Sequence, residues 1–234
     1  MFCGAARGGH GVYAGSVSIT DVWPLFGLQL STPRLVLRVV RDEDFPGLIS
    51  AALAGIHDAD RMPFTFPWTD AAPDELPLAF ARYHWSVRSG ASENEWTLPF
   101  VVMLDGEPIG VQEMHARQFS DRRTIDTGSW LTRRAQGRGL GTEMRAGLLQ
   151  LAFDHFGAVW AESSAMEWNS ASLAVSHKLG YVPNGVTRTL VRPNDVTTEQ
   201  RVQLNVSDFV RPEWRIEVDG VRRALELLGI PSGD

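Results

Sequence analysis

The stretch Gln136-Gly137-Arg138-Gly139-Leu140-Gly141-Thr142 constrains this chain more than any other. It lies between a strand-like run and a long amphipathic run. Glycines at three alternate positions leave little side chain in the way, so backbone N–H groups can close around an anion. Thr142 to Phe156 then reads as a helix. Leu140, Met144, Leu148, Leu151, Ala152 and His155 recur at helical spacing, and Glu143, Arg145, Gln150 and Asp154 fall mostly between them. A loop of free N–H groups feeding a helix N-terminus attracts phosphate through hydrogen bonds and the helix dipole.

Three phosphate loops compete for this pattern. A dinucleotide fingerprint needs its third glycine where Thr142 stands, and Gly141 comes one residue too early. A Walker loop needs Gly-Lys-Ser/Thr, and no lysine follows these glycines. The third is the Gln/Arg-x-x-Gly-x-Gly/Ala loop, which the GNAT family of N-acetyltransferases uses for the pyrophosphate of coenzyme A. Gln136 to Gly141 supplies it directly. The flanks agree in order. Asp126-Thr127-Gly128-Ser129-Trp130-Leu131 resembles the family's fourth strand. Asn169-Ser170-Ala171-Ser172 and His177-Lys178-Leu179-Gly180-Tyr181 resemble its Asn-x-x-Ser helix and the turn after it. Thr32-Pro33-Arg34-Leu35-Val36-Leu37-Arg38 is similar to the first strand of the branch that acetylates ribosomal-protein N-termini. The segment from His57 to Thr69 is similar to an actinobacterial subgroup that includes a mycobacterial succinyltransferase.

Composition narrows the function classes. At 234 residues there is room for one domain with a proper core. The net charge of −6 argues against broad nucleic-acid binding. No apolar run reaches the ~18 residues of a membrane span. The first 30 residues carry no secretion signal, so a cytoplasmic location is expected. Cys3 is the single cysteine and has no partner for an internal disulfide. The six histidines show no ligand spacing, so no metal is expected. Arg133, Arg134 and Arg138 form a local basic cluster beside the glycine loop, suited to the phosphates of coenzyme A.

Residues 1–22 read as a disordered tail, 23–210 as the domain and 211–234 as an extension with a short helix over Val221 to Leu228. Trp23 to Leu30 is expected to dock on the domain. Asp42 to Leu53 reads as a helix capped by Asp42, and Asp74 to Arg88 as another. Between them, Met62, Phe64, Phe66 and Trp68 are interleaved with prolines, which predicts a loop that packs on the domain, walls an acceptor pocket, or both. Strands are expected over Leu35 to Val39, Trp96 to Leu104, Ile109 to Met114, Thr124 to Leu131, Ala158 to Ala165, Tyr181 to Val191 and Thr197 to Val206, with a tight turn at Asp105-Gly106. A helix capped by Asn169 or Ser170 ends at Gly180. The fold class is α+β, a mixed, mostly antiparallel sheet with helices on both faces.

The resemblance implies transfer of an acetyl or succinyl group from its coenzyme A thioester to an amine, with no metal. Trp130, Leu131 and Thr132 would offer backbone contacts to the pantetheine arm, and Gln136, Gly137, Arg138, Gly139, Leu140, Gly141 and Thr142 would hold the pyrophosphate. Asn169 and Ser172 would touch the arm and the sulfur. Asp126 is the first candidate base, with Glu113 and Glu162 in reserve. Ser172 is the candidate acid, with Tyr181 as the other choice. His57, Arg61, Phe64 and Trp68 would face the acceptor, whether a protein N-terminus, a lysine or a small amine. Arg61, Arg82 and Arg88 are candidate cations for a succinyl carboxylate. Exposed aromatics admit a homodimer, and an acyl-CoA-binding sensor or scaffold with little catalysis is the alternative function.

Overall fold

The computed structural model describes residues 16–231. Nine strands form one sheet: β1 (Gln29–Ser31), β2 (Leu35–Val39), β3 (Glu95–Leu104), β4 (Glu107–Arg117), β5 (Thr124–Leu131), β6 (Trp160–Met166), β7 (Val182–Arg192), β8 (Asp195–Asn205) and β9 (Glu217–Asp219). Among the described residues seven α-helices accompany them: α1 (Ile19–Val22), α2 (Phe45–Leu53), α3 (Leu76–Ser89), α4 (Phe119–Arg122), α5 (Leu140–Gln150), α6 (Ser170–Lys178) and α7 (Val221–Leu227). The spatial order is β7-β8-β6-β5-β4-β3-β2-β1-β9. Every neighbouring pair described is antiparallel except β5 and β6, which run parallel. A parallel pair needs a crossover, and α5 supplies it. This is an α+β sheet with helices on both faces, as the pattern of strands and helices led us to expect.

Burial follows the two-sided cover. β2 alternates buried and half-buried residues, whereas β3 is buried along nearly all of its middle because helices lie on both sides. The larger core packs α5 against Trp96, Leu98, Phe100, Met114, Ile125 and Leu131. The other face carries α2 and α3 over Val101 and Val111. Gly110 on β4 has no room for a side chain: a Cβ there would stand 2.1 Å from the Trp130 carbonyl oxygen. That closeness fixes how β5 lies on β4.

Several elements differ from the sequence reading. Residues 1–15 of the expected tail lie outside the described residues, but 16–22 are not a formless tail. Ser18 and Asp21 form a reciprocal cap on α1, and Asp21 pairs with Arg223 at 3.0 Å. The stretch expected as an extension supplies β9, which pairs with β1, and α7, whose Ala224 and Leu225 enter the main core. Asp42 does not cap the second helix. A single 3-10 turn over Asp42–Asp44 precedes α2, and Asp44 accepts from the Arg41 N–H and from both Nη atoms of Arg38. The long helix starts at Leu140 and finishes in a π turn over Leu151–His155. That extra residue per turn rotates His155 off the apolar side, and it is exposed.

His84 on α3 is 3% exposed, stacked on Phe80 at 4.4 Å, with its Nδ1 unpartnered. Burial, helped by the charge of Arg88, pulls its pKa from 6.5 to about 4. The folded state therefore holds the neutral ring, and this contribution is complete above pH 6.5 and lost as pH falls through that value toward 4. A drop of that size corresponds to about 3 kcal/mol. In urea titrations at pH 7 and pH 4, His84→Leu is expected to lose about 3 kcal/mol less on acidification than wild type. An equal loss in both would show that His84 does not carry the acid sensitivity.

Candidate active site

The site begins where two strands part. β5 pairs with β6 only through Thr124–Thr127 against Trp160–Ser163. Beyond that point β6 stays with β8, while Gly128–Leu131 stays with β4. The other edge of Gly128–Leu131 therefore faces a wedge rather than a strand. The Thr132 N–H donates to the Ile109 carbonyl at 2.8 Å, so it points toward β4. Amides alternate sides along a strand, so Trp130 also turns its N–H to β4. The amides left facing the wedge are those of Ser129 and Leu131. Of Trp130, Leu131 and Thr132, expected to offer backbone contacts, the register leaves only Leu131 with its amide toward the wedge.

The wedge opens onto the glycine loop. Gly137 (φ 70°) and Gly139 (φ 78°) sit in the left-handed region, where a side chain is strained. A Cβ at Gly137 would meet nothing within 4 Å, so the loop surface stands open. Gly139 is the N-cap of α5 and offers no side-chain cap, which leaves the first-turn amides of Leu140, Gly141 and Thr142 outward. Gln136 ties the loop to the end of β5: its Nε2 donates to the carbonyls of Ile56 and Leu131 at 2.7 and 2.8 Å. Of the basic cluster, Arg133 is committed to Asp58, while Arg134 and Arg138 are exposed. Asn169 caps α6 by accepting the Ser172 N–H at 3.2 Å, which sets half-buried Ser172 in the first turn of that helix. α6 meets the start of α5 through Val175, 3.7 Å from where a Gly141 Cβ would lie.

A clamp not anticipated from the sequence holds the loop. Glu143 is buried on α5; its carboxylate accepts from Thr32 Oγ1 (2.7 Å), Arg34 N (2.9 Å) and Arg34 Nε (2.6 Å). Arg34 Nη1 continues to the Arg138 carbonyl inside the loop at 3.1 Å. The Thr-Pro-Arg segment before β2 thus fixes the glycine loop through one carboxylate. An open cleft of about 340 Å³ lies alongside, lined by Arg34, Gly139, Thr142, Lys178, Arg211 and Trp214.

On the opposite face of the sheet, cross-strand pairing puts Glu113 beside Gly128 and His115 beside Asp126. Asp126 is exposed. Glu113 accepts from the Tyr83 hydroxyl at 2.7 Å, and burial pushes its carboxyl above the usual carboxylate range. The Tyr83 phenol is pushed up as well, by burial and by the Glu113 charge. The loop of 56–73 makes one wall here. His57, Phe64, Trp68 and Trp130 form a chain of rings at 5.7, 5.4 and 5.7 Å, so this loop packs on β5 and lines the face at once. His57 is steadied by Thr69 Oγ1 at 2.7 Å. Arg192 at the end of β7 closes the wall by pairing with Asp70 at 2.7 Å.

Arg61 stands apart from that row; it is exposed and stacks over Trp168 at 5.5 Å. Arg88 is spent on Asp42 and on the ring of Phe26, and Arg82 is exposed on α3. Tyr181 is a core residue, 4% exposed, with its phenol pushed up by burial. Glu162 lies opposite Asp126 on β6. Among the described residues no three His, Cys, Asp or Glu side chains gather as a metal site, and no helix is long and apolar enough to cross a membrane.

A sheet that splays beside a glycine loop is the layout of one known family, and comparison agrees. Residues 34–182 match the model of the acetyltransferase (GNAT) domain, and the chain belongs to that family. Its fold is similar to that of Mycobacterium smegmatis RimJ in complex with CoA-disulfide (TM-score 0.66, 21% identity, covering 89% of this chain and 96% of that one). It is also similar to a GNAT-family acetyltransferase from Bacillus anthracis (TM-score 0.60, 15% identity, 76% and 98%). A third is RimL, a ribosomal L7/L12 alpha-N-protein acetyltransferase in complex with coenzyme A (TM-score 0.58, 16% identity, 76% and 97%).

The clamp on the loop makes an ordered prediction. Glu143→Gln keeps acceptors for Thr32 and the Arg34 amide but loses the charge, whereas Glu143→Ala strands all three donors. Arg34 is half exposed, so solvent screens the ion pair. Expected losses in urea titration are about 1 kcal/mol for the first and about 2–3 kcal/mol for the second. Equal losses would mean that the hydrogen bonds carry nothing beyond the charge.

Proposed function

We propose that this protein is an N-acyltransferase that moves an acetyl or succinyl group from its coenzyme A thioester to a primary amine, by direct attack while both are bound. The observation that carries this reading is the wedge: unpaired amides at Ser129 and Leu131 running straight into an open glycine loop. A pyrophosphate on the amides of Gly137 to Thr142 meets both hydrogen bonds and the α5 dipole. A pantetheine arm then lies along Gly128–Leu131 as an added strand would. The cleft takes the remaining phosphate and the nucleoside, with Lys178 on its rim and Arg34 and Arg211 held there by Glu143 and Asp154.

The chain's own groups divide the work as follows. The Leu131 or Ser129 amide stabilises negative charge developing on the thioester carbonyl oxygen. Glu113, set behind Gly128 and raised by burial, takes the proton of the attacking amine as its nitrogen bonds to the carbonyl carbon. The carbon–sulfur bond breaks with its electron pair on sulfur, and Ser172 returns a proton there. We prefer Glu113 to Asp126 because Glu113 is half-buried and hydrogen-bonded to Tyr83, whereas Asp126 is exposed. The ring wall of His57, Phe64, Trp68 and Trp130 borders the acceptor on that same face. A protein N-terminus is the favoured acceptor, by analogy with the alpha-N-protein activity in the name of RimL.

Thermal shift with free coenzyme A, acetyl-CoA and succinyl-CoA tests the reading first. A ligand that binds only the folded state raises the melting temperature. Wild type is expected to rise with all three, and Gly139→Glu, which puts an anion into the loop, is expected to lose the rise. A folded wild type that responds to none would sink the proposal. The base is tested by pH. Because burial raises the Glu113 pKa above 4.5, kcat/KM should climb with pH on a limb lying above that value. Glu113→Gln should flatten the limb and lower kcat/KM by about 10²-fold or more, while Asp126→Asn leaves it nearly intact. The reverse result would return the role to Asp126.

A further inference from the structure

One buried charge has no counterpart. Arg145, on the second turn of the glycine-loop helix, is 4% exposed. Its guanidinium reaches only hydroxyls: Ser163 Oγ on β6 at 3.4 Å, Ser176 Oγ on α6 at 3.1 Å and Ser129 Oγ on β5 at 3.3 Å. These contacts are long for a cation, and the Nε–H has no acceptor. Among the described residues no carboxylate pairs with it. Burial pulls its pKa down, opposed by the neighbouring Tyr181. The Tyr181 hydroxyl is itself buried and unpartnered, with Thr127 and Arg145 beside it. An isolated ion in such a place is strongly disfavoured unless an anion joins it.

The location tells which anion. Thr127 and Ser163 are the last paired residues of β5 and β6, so they mark the closed end of the wedge. Ser163 Oγ donates to the Thr127 carbonyl there at 2.9 Å. Arg145, Ser129 and Tyr181 sit under that closed end, on the α5 face. The glycine loop is at the open end. Four unpaired residues lie between, about 13 Å at 3.3 Å each. An arm anchored by its pyrophosphate at the loop carries its acyl end toward the closed end. Ser129 is small and half-buried, and its hydroxyl, already in contact with the guanidinium, is the side chain that stands between the wedge and Arg145.

Resting on the acyl-CoA reading above, we propose that Arg145 is a specificity-determining residue that receives the free carboxylate of a short dicarboxylic acyl group, of the malonyl or succinyl class, with Tyr181 as a second donor. A planar carboxylate matches the guanidinium fork, and an acetyl methyl leaves the charge unanswered. The three arginines expected from the sequence for this task, Arg61, Arg82 and Arg88, are exposed or already paired.

Isothermal titration of the full chain with free coenzyme A, acetyl-CoA and succinyl-CoA decides it. Wild type is expected to bind succinyl-CoA at least about tenfold more tightly than acetyl-CoA. In Arg145→Met the ratio should fall to about one, with affinity for free coenzyme A unchanged. Replacing an unpaired buried charge by an apolar side chain of similar length is neutral or stabilising, so this variant should fold. Arg145→Lys, which keeps charge without the fork, should hold an intermediate ratio. Equal affinity of wild type for both thioesters, with normal binding of free coenzyme A, would overturn the proposal alone, as would a preference that survives in Arg145→Met. Silence with all three ligands would overturn the acyl-CoA reading and this proposal with it.

Discussion

Everything at the site depends on two parallel strands losing contact after four residues. Up to Thr127 and Ser163, β5 and β6 share a ladder; past them, each keeps only its outer partner. A strand edge with open amides is a template for further pairing, so the edge of Gly128–Leu131 suits an outside strand or its chemical equivalent. The wedge holds because both strands are pinned elsewhere. β4 grips β5 at Gly110, where only a missing side chain allows the approach to the Trp130 carbonyl. β8 grips β6 along its whole length.

The helix between those strands does three jobs with three consecutive parts. Its glycine entry leaves first-turn amides without a side-chain cap. Glu143 in its first turn ties that entry to Thr32 and Arg34, more than a hundred residues earlier in the chain. Arg145, two residues on, turns the other way, under the closed end of the wedge. A helix rotates by about 100° per residue, so 143 and 145 cannot share a direction. One helix therefore anchors the loop and puts a buried cation below the strand gap.

The sheet also separates the two halves of the chemistry. Alternation along β4 and β5 sends Gln112 and Ser129 toward α5, and Glu113, Gly128 and Trp130 toward α3 and the aromatic loop. In the proposed reaction the acyl end and the proton acceptor therefore lie on opposite sides of one strand, with the peptide plane of β5 between them. A carbonyl bound in the wedge as proposed would be open to attack from the acceptor face while its tail points to the other.

The sequence by itself determined the glycine loop, the strand before it and the helix after it, because backbone freedom, apolar period and capping are local properties. It determined the α+β class for the same reason, and the bounds of Thr124–Leu131 without error. It placed Glu113 only as a reserve and left Glu143, Arg145 and Gln150 on an apparently polar helix stripe, although all three are buried. The direction a side chain takes on a helix is legible, but what waits there is not. Only the tertiary structure decided that Glu143 meets Arg34, that Arg145 meets hydroxyls and no carboxylate, and that the Thr132 amide is already used. Charge pairing, desolvation and strand register act between segments far apart in the chain, and no window of neighbouring residues contains them.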